Sequence, residues 1–271
     1  NCIPYIAVEN DEVQALVQDA IFSRGPSGVK RTGIFFGGRD MHTAMDMMEI
    51  CRESMVPPFE VSAFADPSGA FTTAAGMVAK VEKALKDVHN TDFEGKCVVA
   101  LGGTGPVGMA AAVIAAKAGA KVKILGRKKD KAQRVAGICN AEYGSDMTGI
   151  LGEANENIDQ FLDEVDVVFA TAAAGVQVLN KEQVQKASRL KVAADVNAVP
   201  PTGIAGMDVM DDAVEISGST SGAVGIGALA IGNVKYQTQH ILLQRMRESD
   251  EPVYYHFEHA FEVAREYVSK N

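Results

Sequence analysis

Residues 97–108 constrain the architecture of this chain more than any other stretch. The apolar run from Cys97 to Leu101 leads into Gly102-Gly103-Thr104-Gly105-Pro106-Val107-Gly108, and an alanine-rich helical run follows. The spacing GxGxxG falls on Gly103, Gly105 and Gly108. Alone it is a weak signal. Between a strand and a helix it is the dinucleotide-binding fingerprint. In that setting Gly103 permits the tight turn, Gly105 lets backbone approach a pyrophosphate, and Gly108 lets helix and strand pack closely. Thr104, Pro106 and Val107 complete the turn, and the helix start offers unpaired N–H groups and a positive dipole end to phosphates.

On both sides of this motif, apolar strands alternate with amphipathic helices. Strands are expected at 33–37, 59–65, 96–101, 121–125, 166–171 and 190–194, and helices at 41–55, 71–88, 106–118, 129–140, 234–247 and 254–268. The continuous apolar character of the strands suits parallel sheets covered on both faces. The fold class is therefore α/β, with a Rossmann-type doubly wound nucleotide-binding domain and a smaller α/β domain across a cleft. Polar residues 89–95 mark one boundary, and the glycine-rich stretch 218–232 the other. The nucleotide domain is expected at 92–235, and residues 1–91 with about 236–271 form the second domain.

The residue following the second nucleotide-domain strand selects the cofactor. NAD enzymes carry Asp or Glu there, for the ribose 2′-hydroxyl. Here Gly126 is followed by Arg127, Lys128 and Lys129, with Lys131 beyond. A guanidinium grips a 2′-phosphate with a bidentate fork, so Arg127, Lys128 and Lys131 point to NADP; the competing reading is a solvated helix start. Two further strand ends edge the cofactor: Thr171-Ala172-Ala173, whose small side chains let backbone pass a ribose, and Asp195 with Asn197. Asp195 is equally well read as a loop cap.

Composition excludes other classes. A net charge of −9 argues against a nucleic-acid surface. Cys2, Cys51, Cys97 and Cys139 are scattered, without metal or redox spacing, and the five histidines form no ligand pair, so no metal is expected. No apolar run reaches the roughly 18 residues of a membrane span, and no signal peptide is visible, so a cytoplasmic setting is expected. The chain begins at Asn1 without Met, and residues 3–8 read as mid-domain, so further residues are expected before them.

The strings GGTGPVG (102–108), GRKKDKA (126–132), DVNAVPPTGIAG (195–206), GIGALAIGNVKYQTQ (225–239) and FADPSGAFTTAAG (64–76) are far more specific than the glycine motif. Together the chain resembles the NADP-dependent methylene-tetrahydromethanopterin dehydrogenases of formaldehyde-oxidising bacteria. The resemblance departs at the start, where that family has an additional strand and helix. It implies reversible hydride transfer between the methylene carbon of a reduced pterin and C4 of the nicotinamide, in one-carbon metabolism. It also implies a pterin domain, no metal or flavin, and a homo-oligomer, a trimer being one form. Some members also take methylene-tetrahydrofolate, and some take NAD.

Under that resemblance Asp66 and Lys235 are the catalytic candidates. Asp66 would accept hydrogen bonds from the pterin amino group and ring N–H, or serve only as a helix cap. Lys235 would orient the pterin carbonyl, or be a surface lysine. Ser68, Thr72, Arg24 and Gly38 are the other pterin candidates. Gly227, with Gly225 and Gly232, is expected to allow close helix packing and backbone approach to the nicotinamide. The alternatives left open are a dehydrogenase of methylene-tetrahydrofolate, a shikimate-dehydrogenase-like enzyme, and a non-catalytic NADPH sensor.

Overall fold

The computed structural model describes residues 1–144 and 149–271. It opens with helices α1 (Val13–Phe22) and α2 (Pro26–Val29), then strand β1 (Gly33–Phe36), α3 (Met41–Glu53), β2 (Ser62–Ala65) and α4 (Ala70–His89). The next run holds β3 (Cys97–Leu101), α5 (Pro106–Lys117), β4 (Lys121–Gly126), α6 (Lys129–Tyr143) and β5 (Ile150–Ala154). It continues through β6 (Val167–Ala170), α7 (Lys181–Lys186), β7 (Val192–Asp195), β8 (Asp212–Glu215) and β9 (Val224–Ile226). The chain returns through α8 (Ala228–Glu248), β10 (Tyr254–Tyr255) and α9 (Phe257–Lys270).

The described strands form two sheets. The larger has the order β5-β4-β3-β6-β7-β9-β8 and is parallel except for β8, which runs antiparallel to β9. The chain winds outward from β3 to β5, crosses back to β6 and winds the other way. That makes the β3/β6 junction the topological switch point of a doubly wound sheet. The smaller sheet, β1-β2-β10, is parallel throughout, with Gly33 opposite Ser62 and Tyr254 opposite Ala63.

Every residue of β2, β6 and β7 is buried, as parallel strands covered on both faces require. Helix α5 is buried along its whole stretch from Gly108 to Ala116, because a helix that is apolar all round has to be covered all round. Helix α4 packs on it and also on α8 and α9. Gly76 keeps the α4–α8 crossing close: a Cβ there would stand 3.2 Å from Lys235 N and 3.3 Å from Ile231 O. Phe71 of α4 and Phe257 of α9, both fully buried, meet edge to face with ring centroids 5.4 Å apart. Burying a side chain of this size stabilises the fold by about 1.5–3 kcal/mol.

Two element expectations are corrected. The helix expected from residue 234 begins at Ala228, because Gly227 caps it and Leu229 N–H donates to Val209 O at 2.9 Å. One continuous helix therefore spans residues 235 and 236. The helix expected from residue 254 begins at Phe257, because Tyr254 and Tyr255 pair with β2 instead. Among the described residues no helix is long and apolar enough to cross a membrane.

Strand β5 lies so close to α6 that a Cβ on Gly152 would overlap the backbone of Ala132 and Gln133. Gly152→Ala is therefore expected to destabilise by about 1–3 kcal/mol, the usual cost of overpacking. Thermal unfolding would register this as a Tm lower by several degrees. An unchanged Tm would show that α6 moves off the sheet without cost.

Candidate functional site

The glycine turn sits at the switch point. Gly102 takes the left-handed conformation, φ +70°, and a Cβ on it would stand 2.6 Å from Ala172. This corrects the role given to Gly103, which is confined instead by Ala100 O, 2.7 Å from where its Cβ would be. Gly108 packs as expected: its Cβ would stand 2.5 Å from Gly103 Cα and 2.7 Å from Thr171 Oγ1. Gly105 caps α5, and a Cβ there would meet only Gly102 O, at 3.7 Å. Packing forbids side chains at Gly103 and Gly108, whereas the space outside Gly105 is open. Pro106 occupies the first turn of α5, where its missing N–H costs nothing. Thr171 Oγ1 donates to Leu101 O at 3.0 Å and locks the β6 end to the turn.

The end of β4 adjoins the same turn, for Gly103 N–H donates to Leu125 O at 3.0 Å. Thr104 fills the space above Gly126, where a Cβ would stand 2.7 Å from its Cγ2. Arg127, Lys128 and Lys131 follow, all exposed, and none has an ion-pair partner among the described residues. Lys129 does: its Nζ lies 3.0 Å from Glu153 Oε2. Cations at the amino end of α6 oppose the helix dipole. Among the described residues no carboxylate pairs with Arg127, Lys128 or Lys131, and an incoming anion would.

Asp195 and Asn197 are buried and spent on loop structure. Asp195 accepts from Asn197 N–H at 2.9 Å, Gly203 N–H at 2.6 Å and Ile204 N–H at 3.3 Å. Burial nonetheless raises its carboxyl above the usual range, the three N–H groups pulling the other way. Asn197 accepts from Gly175 N–H and Val199 N–H and donates to Pro201 O, which ties the loops after β6 and β7 together. Ala173 lies exposed on the first of these loops. Gly227 is glycine because a Cβ would overlap the carbonyls of Asp208 and Val209.

A second cluster gathers where β1 and β2 end. Asp66 N–H donates to Phe36 O at 3.0 Å, and Ser68 Oγ donates to Gly38 O at 2.7 Å. The Asp66 carboxylate is only 1% exposed. It accepts from Phe71 N–H (2.9 Å), Thr72 N–H (3.2 Å), Thr72 Oγ1 (2.7 Å) and Gln239 Nε2 (3.0 Å). Asp66 thus satisfies the first N–H groups of α4. Burial raises its carboxyl above the usual range, opposed by Thr72, Lys235 and Phe71. Lys235 lies over Gly69, where a Cβ would stand 3.1 Å from its Nζ. The structure brings together Asp66, Ser68, Thr72, Gly38 and Lys235. It does not bring Arg24 to them. That side chain lies along Gly28, on the approach to the opposite end of β1, where Arg31 reaches Arg247 O.

Residues 1–68 match the family described as methylene-tetrahydromethanopterin dehydrogenase, N-terminal. Over 265 residues the chain is 43% identical to the NAD(P)-dependent methylenetetrahydromethanopterin dehydrogenase of Methylorubrum extorquens, covering 97% of this chain and 89% of that protein. The chain belongs to this dehydrogenase family. Another relative, the bifunctional protein MdtA of Methylorubrum extorquens, is 35% identical over 262 residues, 97% of this chain and 88% of its own. Among solved structures, the NAD-dependent malic enzyme of Thermotoga maritima aligns over 97% of this chain and 72% of its own, with a TM-score of 0.55 and 16% identity. Family membership favours neither the shikimate-dehydrogenase type nor a non-catalytic sensor.

For this methylenetetrahydromethanopterin dehydrogenase family member, the sequence reading missed two side chains, Gln239 and Glu153. Gln239 lies four residues after Lys235 on α8, so the two share a helix face; that spacing was legible. Glu153 is the penultimate residue of β5, a strand too short and mixed to be read.

Asp66→Ala leaves the Phe71 and Thr72 N–H groups without their acceptor and is expected to cost about 1–2 kcal/mol. Asp66→Asn keeps one acceptor and never ionises. Because the folded carboxyl of Asp66 is held above its unfolded value, protonation favours the native state. The stability of Asp relative to Asn is therefore greatest below the unfolded pKa and declines as pH rises through the folded one. Thermal unfolding of wild type and Asp66→Asn from about pH 4 to about pH 8 checks the sign. A gap that grows in favour of Asp with rising pH contradicts it.

Proposed function

We propose that this chain transfers a hydride reversibly between methylene-tetrahydromethanopterin and NADP, yielding the methenyl pterin in the oxidative direction. One observation carries the reading: 43% identity across 97% of the chain with a dehydrogenase of that pterin. NADP rather than NAD is supported by Arg127, Lys128 and Lys131, exposed cations without ion-pair partners among the described residues, beside the glycine turn. The residues fit such a dinucleotide, since Gly105 leaves open space at the start of α5 while its neighbours are packed shut.

The bound nucleotide supplies the hydride acceptor, C4 of its nicotinamide. The first N–H groups of α5, left open by Gly105, would hold the pyrophosphate, while Gly103 closes the turn behind them and Thr104 packs it against Gly126. Thr171, Ala172 and Ala173 pass beside the cofactor with little bulk. Asp195 and Asn197 fix the loops that edge it and do not themselves touch it. On the pterin side Lys235 orients the substrate, and Gly38 and Ser68 line the approach. Asp66, Thr72 and Gln239 act one step back, by holding the surroundings of Lys235. No side chain has to remove a proton, because a ring-nitrogen lone pair of the substrate expels the hydride. The protein contributes alignment of two flat rings and exclusion of water.

In this reading residues 1–91 and about 236–271 form the pterin unit and 92–235 the nucleotide unit. Pairing of β10 with β2 supports that division. A homo-oligomer in the cytoplasm is the setting that goes with it.

A charge-assisted hydrogen bond contributes about 1.5–3 kcal/mol, or roughly 10- to 150-fold in affinity. With Lys128 and Lys131 still present, Arg127→Ala is expected near the lower end for NADP, with little change for NAD. Dissociation constants for both cofactors at fixed ionic strength test this, since salt screens the contact. Equal losses would make Arg127 a structural residue, and no loss would place the 2′-phosphate elsewhere.

A further inference from the structure

The ribose-reading carboxylate of an NAD enzyme belongs at the end of the strand that here is β4. That position is Gly126, and the space its side chain would need is filled by Thr104, whose Cγ2 stands 2.7 Å from a Cβ built there. The carboxylate nearest in the sheet is on the neighbouring strand. Glu153 pairs in register with Leu125, and Ala154 with Gly126.

Glu153 is pinned there. Its Oε1 accepts from Ala154 N–H and from Asn157 Nδ2, both at 2.9 Å. Its Oε2 accepts from Lys129 Nζ at 3.0 Å. The Ala154 N–H first, then Lys129 and Asn157, hold its carboxyl below the usual range, which favours the anion. Asp130, in the first turn of α6, is exposed and has no such tether among the described residues. Of the four cations at 127, 128, 129 and 131, only Lys129 is therefore neutralised, and it is neutralised by a carboxylate fixed in place.

We propose that Glu153 determines how strongly this site prefers a 2′-phosphorylated dinucleotide. By tying down Lys129 and adding a fixed negative charge to this basic strand end, it weakens attraction for the extra phosphate and leaves an unphosphorylated ribose tolerated. This inference rests on the reading that the basic end of β4 receives the 2′-phosphate. The effect is electrostatic and confined to a distance near the Debye length, about 8 Å at physiological salt.

The experiment is calorimetric titration of the whole protein with NADP, NAD, 2′,5′-ADP and 5′-AMP, for wild type, Glu153→Gln, Lys129→Met and Arg127→Ala. Glu153→Gln keeps an oxygen for Ala154 N–H and Asn157 while removing the charge. It is expected to tighten NADP and 2′,5′-ADP about three- to tenfold, with NAD and 5′-AMP changing less than about twofold, the change shrinking as salt rises. Lys129→Met leaves the carboxylate uncompensated and is expected to shift the NADP/NAD ratio the opposite way by a similar factor. Should Glu153→Gln unfold, Lys129→Met still decides the question. Equal effects on phosphorylated and unphosphorylated ligands, or no effect, overturn the proposal when Arg127→Ala does lower the NADP/NAD ratio. If Arg127→Ala leaves that ratio unchanged, the failure lies in the placement of the 2′-phosphate instead.

Discussion

Where β3 turns into α5, backbone lies directly on backbone. With a Cβ on Gly108 2.5 Å from Gly103 Cα, and one on Gly102 2.6 Å from Ala172, there is no room for a side chain at Gly102, Gly103 or Gly108. This contact fixes the direction of α5 and brings Thr171 against Leu101. It also places the end of β4 against the turn through the bond from Gly103 N–H to Leu125 O. The open space outside Gly105 has meaning only because everything behind it is closed. Phosphate binding at a helix start depends on such preorganisation, since N–H groups already aimed need no rearrangement when the anion arrives.

Charge placement follows from that geometry and runs against local preference. A helix beginning Lys128-Lys129 carries cations at the positive end of its own dipole, a cost of several tenths of a kcal/mol each at exposed sites. A fold selected only for stability would place carboxylates there. The chain supplies Asp130 in that first turn and Glu153 from the adjacent strand, and among the described cations Glu153 pairs with Lys129. Local stability is given up at one strand end, beside a turn whose packing leaves a helix start open.

Much of this was legible in the sequence, and the limits have physical causes. The buried parallel strands and the glycine turn announce themselves because continuous apolar runs and obligatory glycines have few other uses. The role of Gly102 was misassigned to Gly103 because a motif records where side chains are forbidden, not whether dihedral or contact forbids them. Helix α8 was started too late because its first turn depends on a bond to Val209, distant in sequence. Tyr254 and Tyr255 continue the amphipathic pattern of α9, yet they pair with β2, and tertiary pairing outweighed periodicity. At the site, the place of Arg127 just after β4 could be read from position alone. Whether Asp66 caps or binds could not, since its fourth partner, Gln239, comes from 173 residues away.

That distant partner explains why the two clusters belong to one device. Helix α8 is capped by Gly227, which is wedged against the 208–209 backbone beside the large sheet, and about three turns later the same helix closes on Asp66, at the end of the smaller sheet's β2, through Gln239. Lys235 lies between these anchors, one turn before Gln239, with its backbone N held close to α4 at Gly76. A helix rises 1.5 Å per residue with fixed rotation, so anchoring Gly227 and Gln239 sets both the height and the facing of Lys235. Lys235 is therefore positioned in part by backbone beside the large sheet. Nothing in Lys235 itself requires this; it follows from a rigid rod with one end in each sheet's territory and a buried carboxylate fixing its rotation.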